Sequence, residues 1–166
     1  MADQSTRKRP TLVMTAGSIA SGKSHAIRAS QWAHLPIVDP DVFKKDHPDY
    51  SPKDPSGPGN CIHIWSQREA ALVHAAFLED RTSHILDGTG SNLGKYLAVI
   101  KRARARGFRI VILWAQCSLS TAIRRDIRRE RTVGEAKVRA KYPQVLRTMS
   151  IACSIVDQVC SINTER

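Results

Sequence analysis

Short apolar runs alternate with stretches of helical periodicity along this chain. TLVMTA at 11–16 is apolar throughout, which suits a central parallel strand. A helix is predicted from Lys23 to about Ala33, where Pro36 blocks continuation. Residues 36–39 read as a short second strand. A helix is predicted over 62–79, with Trp65, Leu72 and Ala76 on one stripe. Residues 84–87 form a third strand, and a helix over 93–105 is stopped by Gly107. Residues 108–115 are the most apolar run and give another central strand. Ser118 is a helix N-cap. In the helix it opens, Leu119, Ala122, Ile123 and Ile127 bury one side. Two helical pieces, 135–141 and 143–159, close the chain. In the second, Leu146, Met149, Ile155, Val156 and Val159 face the core.

Strands that alternate with helices specify a parallel sheet with helices on both faces. Ligands in such α/β folds sit beyond the carboxyl ends of the strands. The features that carry chemistry fall at those ends. After the first strand comes GSIASGKS: Gly17, Ser18, Ile19, Ala20, Ser21, Gly22, Lys23 and Ser24. This is the G-x-x-x-x-G-K-[ST] phosphate-binding loop, between a strand and a helix as the motif requires. The glycines allow the tight turn, and the loop N–H groups face an anion. Lys23 reaches the β- and γ-phosphates, and the Ser24 hydroxyl holds Mg²⁺. The fold class is therefore α/β: a three-layer α/β/α P-loop NTPase, kinase-like, with one domain over residues 11–166. Residues 1–10 are read as a disordered basic lead-in.

Transfer of a phosphoryl group needs a carboxylate near the acceptor hydroxyl. Asp39 and Asp41 lie two apart at the end of the second strand. They point the same way if the strand continues and diverge if it breaks at Pro40. Asp41 is favoured as the base, with Asp39 near Mg²⁺ or capping a loop, although Asp-Pro-Asp is also ordinary turn chemistry. Asp87 ends the third strand in Asp87-Gly-Thr89-Gly. It meets Mg²⁺ through water or binds substrate hydroxyls. The arginines from Arg124 to Arg131 end at the breaker Thr132-Val-Gly134, a place that suits a lid. Arg129 and Arg131 are the candidates to close on the γ-phosphate. His47, before Pro48, is a candidate for substrate contact. Residues 51–60 read as a mobile loop over the site.

The formal net charge of +11 implies acidic partners without selecting among nucleotides, nucleic acid and anionic surfaces. No signal peptide, membrane span, zinc-ligand spacing or internal repeat is visible. The four cysteines form no C-x-x-C, and buried free thiols in a reducing, cytoplasmic setting are expected. Cys153 and Cys160, seven apart, are expected on one face of a helix.

These residues, in this order, resemble the zeta-toxin family of P-loop kinases. The resemblance rests on GSIASGKS (17–24), IVDPDVFKKDHPDY (37–50), the helix with Trp65-Ser66-Gln67-Arg68, ILDGTG (85–90), and GFRIVILWA (107–115) with its Arg-rich continuation. It implies phosphorylation of UDP-N-acetylglucosamine or a related nucleotide sugar, with ATP or GTP as donor and Mg²⁺ as cofactor. It implies Asp41 as the base that takes the sugar hydroxyl proton, Lys23 on phosphate, and Ser24 on Mg²⁺. It places Asp87 in the substrate pocket with Thr89 beside it, and Arg129 and Arg131 as the phosphate clamp; Arg68 joins His47 as a candidate for substrate contact, a loop histidine without a role being the alternative for His47. An acid that the family uses for the sugar falls at Ala71, with Glu69 nearby. A toxin role implies an antitoxin that blocks the nucleotide site. A second reading, from the charge and the basic cluster Lys101, Arg102, Arg104, Arg106 and Arg109, is a nucleic-acid 5′-hydroxyl kinase. A third is a nucleotide-dependent regulatory module.

Overall fold

The computed structural model describes residues 9–129 and 132–165. Its centre is a sheet of five parallel strands in the order β2-β3-β1-β4-β5. The strands are β1 (Thr11–Ala16), β2 (Ile37–Val38), β3 (His84–Leu86), β4 (Arg109–Gln116) and β5 (Gln158–Asn163). The helices are α1 (Lys23–Ala29), α2 (Pro40–Phe43), α3 (Cys61–Glu79), α4 (Leu93–Ala105), α5 (Leu119–Ile127) and α6 (Glu135–Ala152). Short 3₁₀ turns occupy Lys44–Asp46 and Pro58–Asn60.

Side chains alternate across the sheet, so β1 and β4 supply both cores. Leu12, Met14, Ile110 and Ile112 face α4 and α6, where they meet Tyr96, Ile100, Val145 and Met149. Val13, Ile85, Val111 and Leu113 face α1, with Ala26, Ile27, Trp32 and Leu35. Both faces are covered, as a parallel sheet requires.

The structure corrects several expectations. The first helix ends at Ala29 because Ser30 turns the chain: its N–H and hydroxyl both donate to the Ile27 carbonyl. The buried stripe of α3 is Ile62, Ser66, Ala70, His74 and Leu78, while Leu72 is 65% exposed. On α5 the buried positions are Thr121, Ala122 and Asp126, and Ile127 faces solvent. Pro143 does not divide the last helix. It lies inside α6, whose residues on either side of it, Val138, Val145 and Met149, are buried. Packing on both sides outweighs the one helical hydrogen bond that proline removes.

The largest departure is β5, which begins inside the expected last helix, 143–159, and runs on to Asn163. Without it, apolar β4 would be an open edge with unpaired backbone groups. Six residue pairs from Val111–Gln158 to Gln116–Asn163 close that edge. Cys153 therefore caps α6 and Cys160 lies in β5, on no common helix face. All four thiols are free; Cys61 is exposed and the other three are half-buried.

Of the first ten residues, Arg9 and Pro10 are described. Arg9 donates to the Gly107 and Phe108 carbonyls at 3.1 and 2.7 Å, and the Pro10 carbonyl accepts from Arg109 N. No helix among the described residues is long and apolar enough to cross a membrane.

Candidate active site

The chain leaves β1 at Ala16 and enters the phosphate loop. Gly17 has φ 147° and Gly22 has φ 89°. A Cβ on Gly17 would lie 2.3 Å from Ser21 Oγ and 2.7 Å from the Ala115 carbonyl. Glycine is what lets the loop lie this close to β4. The Gly17 N–H donates to the Thr89 carbonyl at 3.0 Å, which ties the loop to the segment after β3. Lys23 folds back over its own loop and donates from Nζ to the Gly17 and Ser18 carbonyls at 3.3 and 3.2 Å. Burial lowers the Lys23 pKa, the nearby Asp87 opposes that shift, and the Arg129 charge adds to it. Asp39 and Asp41 also act on Lys23 in the raising direction. The charges of Asp39 and Asp41 at the start of α2, Asp87 after β3 and Arg129 just beyond α5 thus all act on one ammonium.

The second strand breaks at Pro40, which resolves how the two aspartates part. Asp39 becomes the N-cap of α2 and its carboxylate accepts the Asp41 N–H at 2.8 Å. Burial raises the Asp39 pKa against that hydrogen bond, and the charges of Asp87 and Asp41 push it further up. Asp41, two residues further, pairs with Lys44 Nζ at 2.6 Å. Lys44 is only 3% exposed and was not singled out from sequence. Its signal was the i,i+3 spacing from Asp41 on a helical turn.

Asp87 owes its position to register. Val13 pairs with Ile85 in adjacent parallel strands, so Thr15 comes level with Asp87 on the same face. The Thr15 hydroxyl donates to Asp87 Oδ1 at 2.5 Å and accepts from Gly88 N at 2.8 Å. Thr15 is 1% exposed, and strand pairing is what made it a site residue.

The other candidates are placed as follows. The Ser24 hydroxyl is exposed at the start of α1. The Thr89 hydroxyl donates to Ser91 Oγ at 3.0 Å. His47 packs edge-on against Trp65 with centroids 5.0 Å apart, and its Nδ1 accepts the Asp49 N–H. Arg68 is exposed on α3, and Glu69 is half-buried beside it. Arg131 lies outside the described residues. Asp126, 1% exposed, accepts from the Val133 and Gly134 N–H groups at 3.1 and 2.9 Å, which pins the segment following the arginines.

A second wall comes from the end of β5. The Thr164 hydroxyl donates to the Ser21 carbonyl, and the Thr164 N–H donates to Gln116 O at 2.8 Å. Glu165 accepts from Ser118 N, Ser118 Oγ and Thr121 Oγ1, each at 2.6 Å. Those hydrogen bonds hold its pKa down at about 2. Between this wall, the phosphate loop and α6 lies a cleft of about 310 Å³, lined by Ser18, Ser21, Gln116, Cys117, Tyr142 and Glu165 among others.

No group of three or more His, Cys, Asp or Glu able to hold a metal ion occurs among the described residues. The oxygen donors of Ser24, Asp39 and Asp87 nevertheless fit Mg²⁺, which keeps several waters and is held with substrate phosphates rather than in an all-protein cage.

Strand order, phosphate loop and strand-end acids define a P-loop fold of the α/β kinase type. The zeta toxin family model matches residues 1–158, and the chain belongs to that family. Solved structures agree on the fold. The PezAT chromosomal toxin-antitoxin system of Streptococcus pneumoniae superposes with a TM-score of 0.69 at 15% identity, over 96% of this chain and 72% of that one. AvrRxo1-ORF1:ORF2 with ATP gives 0.65 at 18% identity, over 95% and 56%. The Pnkp1/Rnl/Hen1 RNA repair complex gives 0.64 at 21% identity, over 90% and 48%. The chain thus spans about half the length of the last two. None of the curated proteins compared with the chain matches it significantly.

Proposed function

We propose that the protein is a Mg²⁺-dependent kinase that transfers the γ-phosphate of ATP or GTP to a hydroxyl of a small anionic metabolite, with a nucleotide sugar such as UDP-N-acetylglucosamine the leading acceptor. The observation that carries this reading is that the charges of Asp39, Asp41 and Asp87, all at strand ends, act together on the phosphate-loop Lys23. A bare NTPase needs no such group of acids beyond its metal ligand. The loop amides and Lys23 hold the β- and γ-phosphates, and Arg129, with Arg131, closes on them. Ser24 and Asp39 would hold Mg²⁺, which when bound neutralises charge on the phosphates. Asp41 takes the proton of the attacking hydroxyl. Its pairing with Lys44 at 2.6 Å holds the carboxylate at the start of α2. Asp87, Thr89, His47 and Arg68 orient the acceptor. Family membership and the ATP named with AvrRxo1 support the donor; the PezAT neighbour supports an antitoxin-type protein that covers the nucleotide cleft.

An anionic acceptor is further supported by cations from several elements. Desolvation lowers the pKa of His63, and Lys44, Lys137 and Lys95 add to that shift against Asp41. Incubation with ATP, Mg²⁺ and a metabolite pool containing UDP-N-acetylglucosamine, read by mass spectrometry, should yield a phosphorylated acceptor. Asp41→Asn should abolish it while sparing ATP binding. ATP binding with no phosphorylated product would overturn the reading. A second reading, an RNA 5′-hydroxyl kinase, is favoured by the RNA repair neighbour and the exposed Lys101, Arg102 and Arg104. It predicts labelled oligonucleotides and a steep salt dependence.

A further inference from the structure

We infer that the cleft at the start of α4 is a binding site for a phosphate-type anion, distinct from the phosphate loop. The cleft has a volume of about 320 Å³ and is lined by Ser91, Asn92, Leu93, Gln144, Arg147 and Thr148. That is room for a phosphate and part of the molecule attached to it.

The lining offers donors and almost no acceptors. The Asn92 side chain accepts the Lys95 N–H at 2.9 Å, and the N–H groups of Leu93 and Gly94, in the first turn of α4, have no intrahelical partner. Ser91 Oγ accepts from Thr89 and keeps its own proton to give. Gln144 Oε1 accepts from Lys141, which leaves its NH₂. Arg147 is exposed, and its side chain makes no hydrogen bond or ion pair among the described residues. No carboxylate lines the cleft.

Two features break local rules unless an anion binds. The first turn of α4 carries no acid and does carry Lys95, so a cation faces the positive end of a 13-residue helix dipole. Thr148, from α6, has no exposed surface, and its hydroxyl has no hydrogen-bond partner. A buried hydroxyl left unpaired is destabilising, and a bound oxyanion removes that penalty. Local inconsistencies of this kind concentrate at functional sites.

The cleft follows directly on the Asp87–Thr89 segment, and the Thr89 and Ser91 hydroxyls are bonded to each other. Its use by an anionic group of the acceptor rests on the kinase reading; anion binding does not. The probe is inorganic phosphate, titrated against Lys23→Met protein so that the phosphate loop is disabled, with backbone amide NMR as readout. Saturable shifts are expected at Leu93 and Gly94. Arg147→Ala should weaken binding about tenfold or more, as the loss of a charge-assisted contact does. Thr148→Val should also weaken it, yet raise the melting temperature of the ligand-free protein. Absent or non-saturating shifts, unchanged affinity in Arg147→Ala, or a lowered melting temperature with unchanged affinity in Thr148→Val would overturn the site. If phosphate binds as described but no acceptor is ever phosphorylated, the kinase reading falls and the site stands. If an anionic acceptor is phosphorylated while phosphate gives no saturable shifts at Leu93 and Gly94, the site falls and the kinase reading stands.

Discussion

The Thr164 hydroxyl donates to the Ser21 carbonyl, joining the end of β5 to the phosphate loop 143 residues earlier. A Cβ on Gly22 would also touch Thr164, at 3.3 Å. The loop is therefore held from outside by the last strand as well as by its own turn. Thr164→Val keeps the shape and removes the donor. It should weaken ATP binding about five- to tenfold, the equivalent of one lost hydrogen bond of about 1 kcal/mol. Thr164→Ser should retain most of the affinity. Titration calorimetry with ATP and Mg²⁺ checks both, and equal binding by the valine variant would remove Thr164 from this role.

Gly17→Ala tests the close approach of the loop to β4. The added methyl meets Ser21 Oγ and the Ala115 carbonyl inside contact distance, at a φ that disfavours any side chain. The loop must shift, so ATP affinity should fall more than about tenfold. Circular dichroism should report an intact fold, because the change is confined to the loop. Wild-type affinity in this variant would contradict the geometry.

Asp126→Ala should loosen the segment after the arginines. Its carboxylate is buried and holds the Val133 and Gly134 N–H groups. Losing it removes two hydrogen bonds to a buried carboxylate, at a cost of about 1–3 kcal/mol. The expected outcome is a lower melting temperature together with a fall in kcat, as Arg129 loses its support. Retained kcat in folded protein would separate this segment from catalysis.

The buried pair His74 and His84 gives the protein an acid limit. His84 Nδ1 donates to the Thr82 carbonyl at 2.7 Å, so its Nε2 must accept from His74 Nδ1 at 2.9 Å. His74 Nε2 is then a buried lone pair with no partner. Burial and the neighbouring His84 lower the His74 pKa to about 4. Below the unfolded value of 6.5 the unfolded chain therefore binds more protons than the native one, and stability falls as pH drops from 6.5 toward 4. The loss approaches about 3 kcal/mol. His74→Gln keeps a donor toward His84 but does not titrate, so its thermal melts should be flatter across this window. An identical pH dependence in the variant would exclude His74 as the cause.

Reading the chain in order determined the motif, four of the strands and the alternation that makes the sheet parallel. It did so because GSIASGKS, TLVMTA and RIVILWAQ carry their information locally, in φ requirements and unbroken apolar runs. It also placed Asp39, Asp41 and Asp87 at strand ends, since a carboxylate after a buried strand is legible wherever it occurs. Tertiary structure decided the rest. Residues 158–163 have no local signal stronger than a helical one, and they became β5 because β4 needed an edge partner. Thr15 became a site residue only through its register with β3, and Lys44 only by pairing with Asp41. Thr164 and Glu165 reach the phosphate loop and α5 because β5 ends beside them. Spacing along the chain could not show these contacts, because each is made by packing between segments distant in sequence or by a side chain whose direction the fold sets.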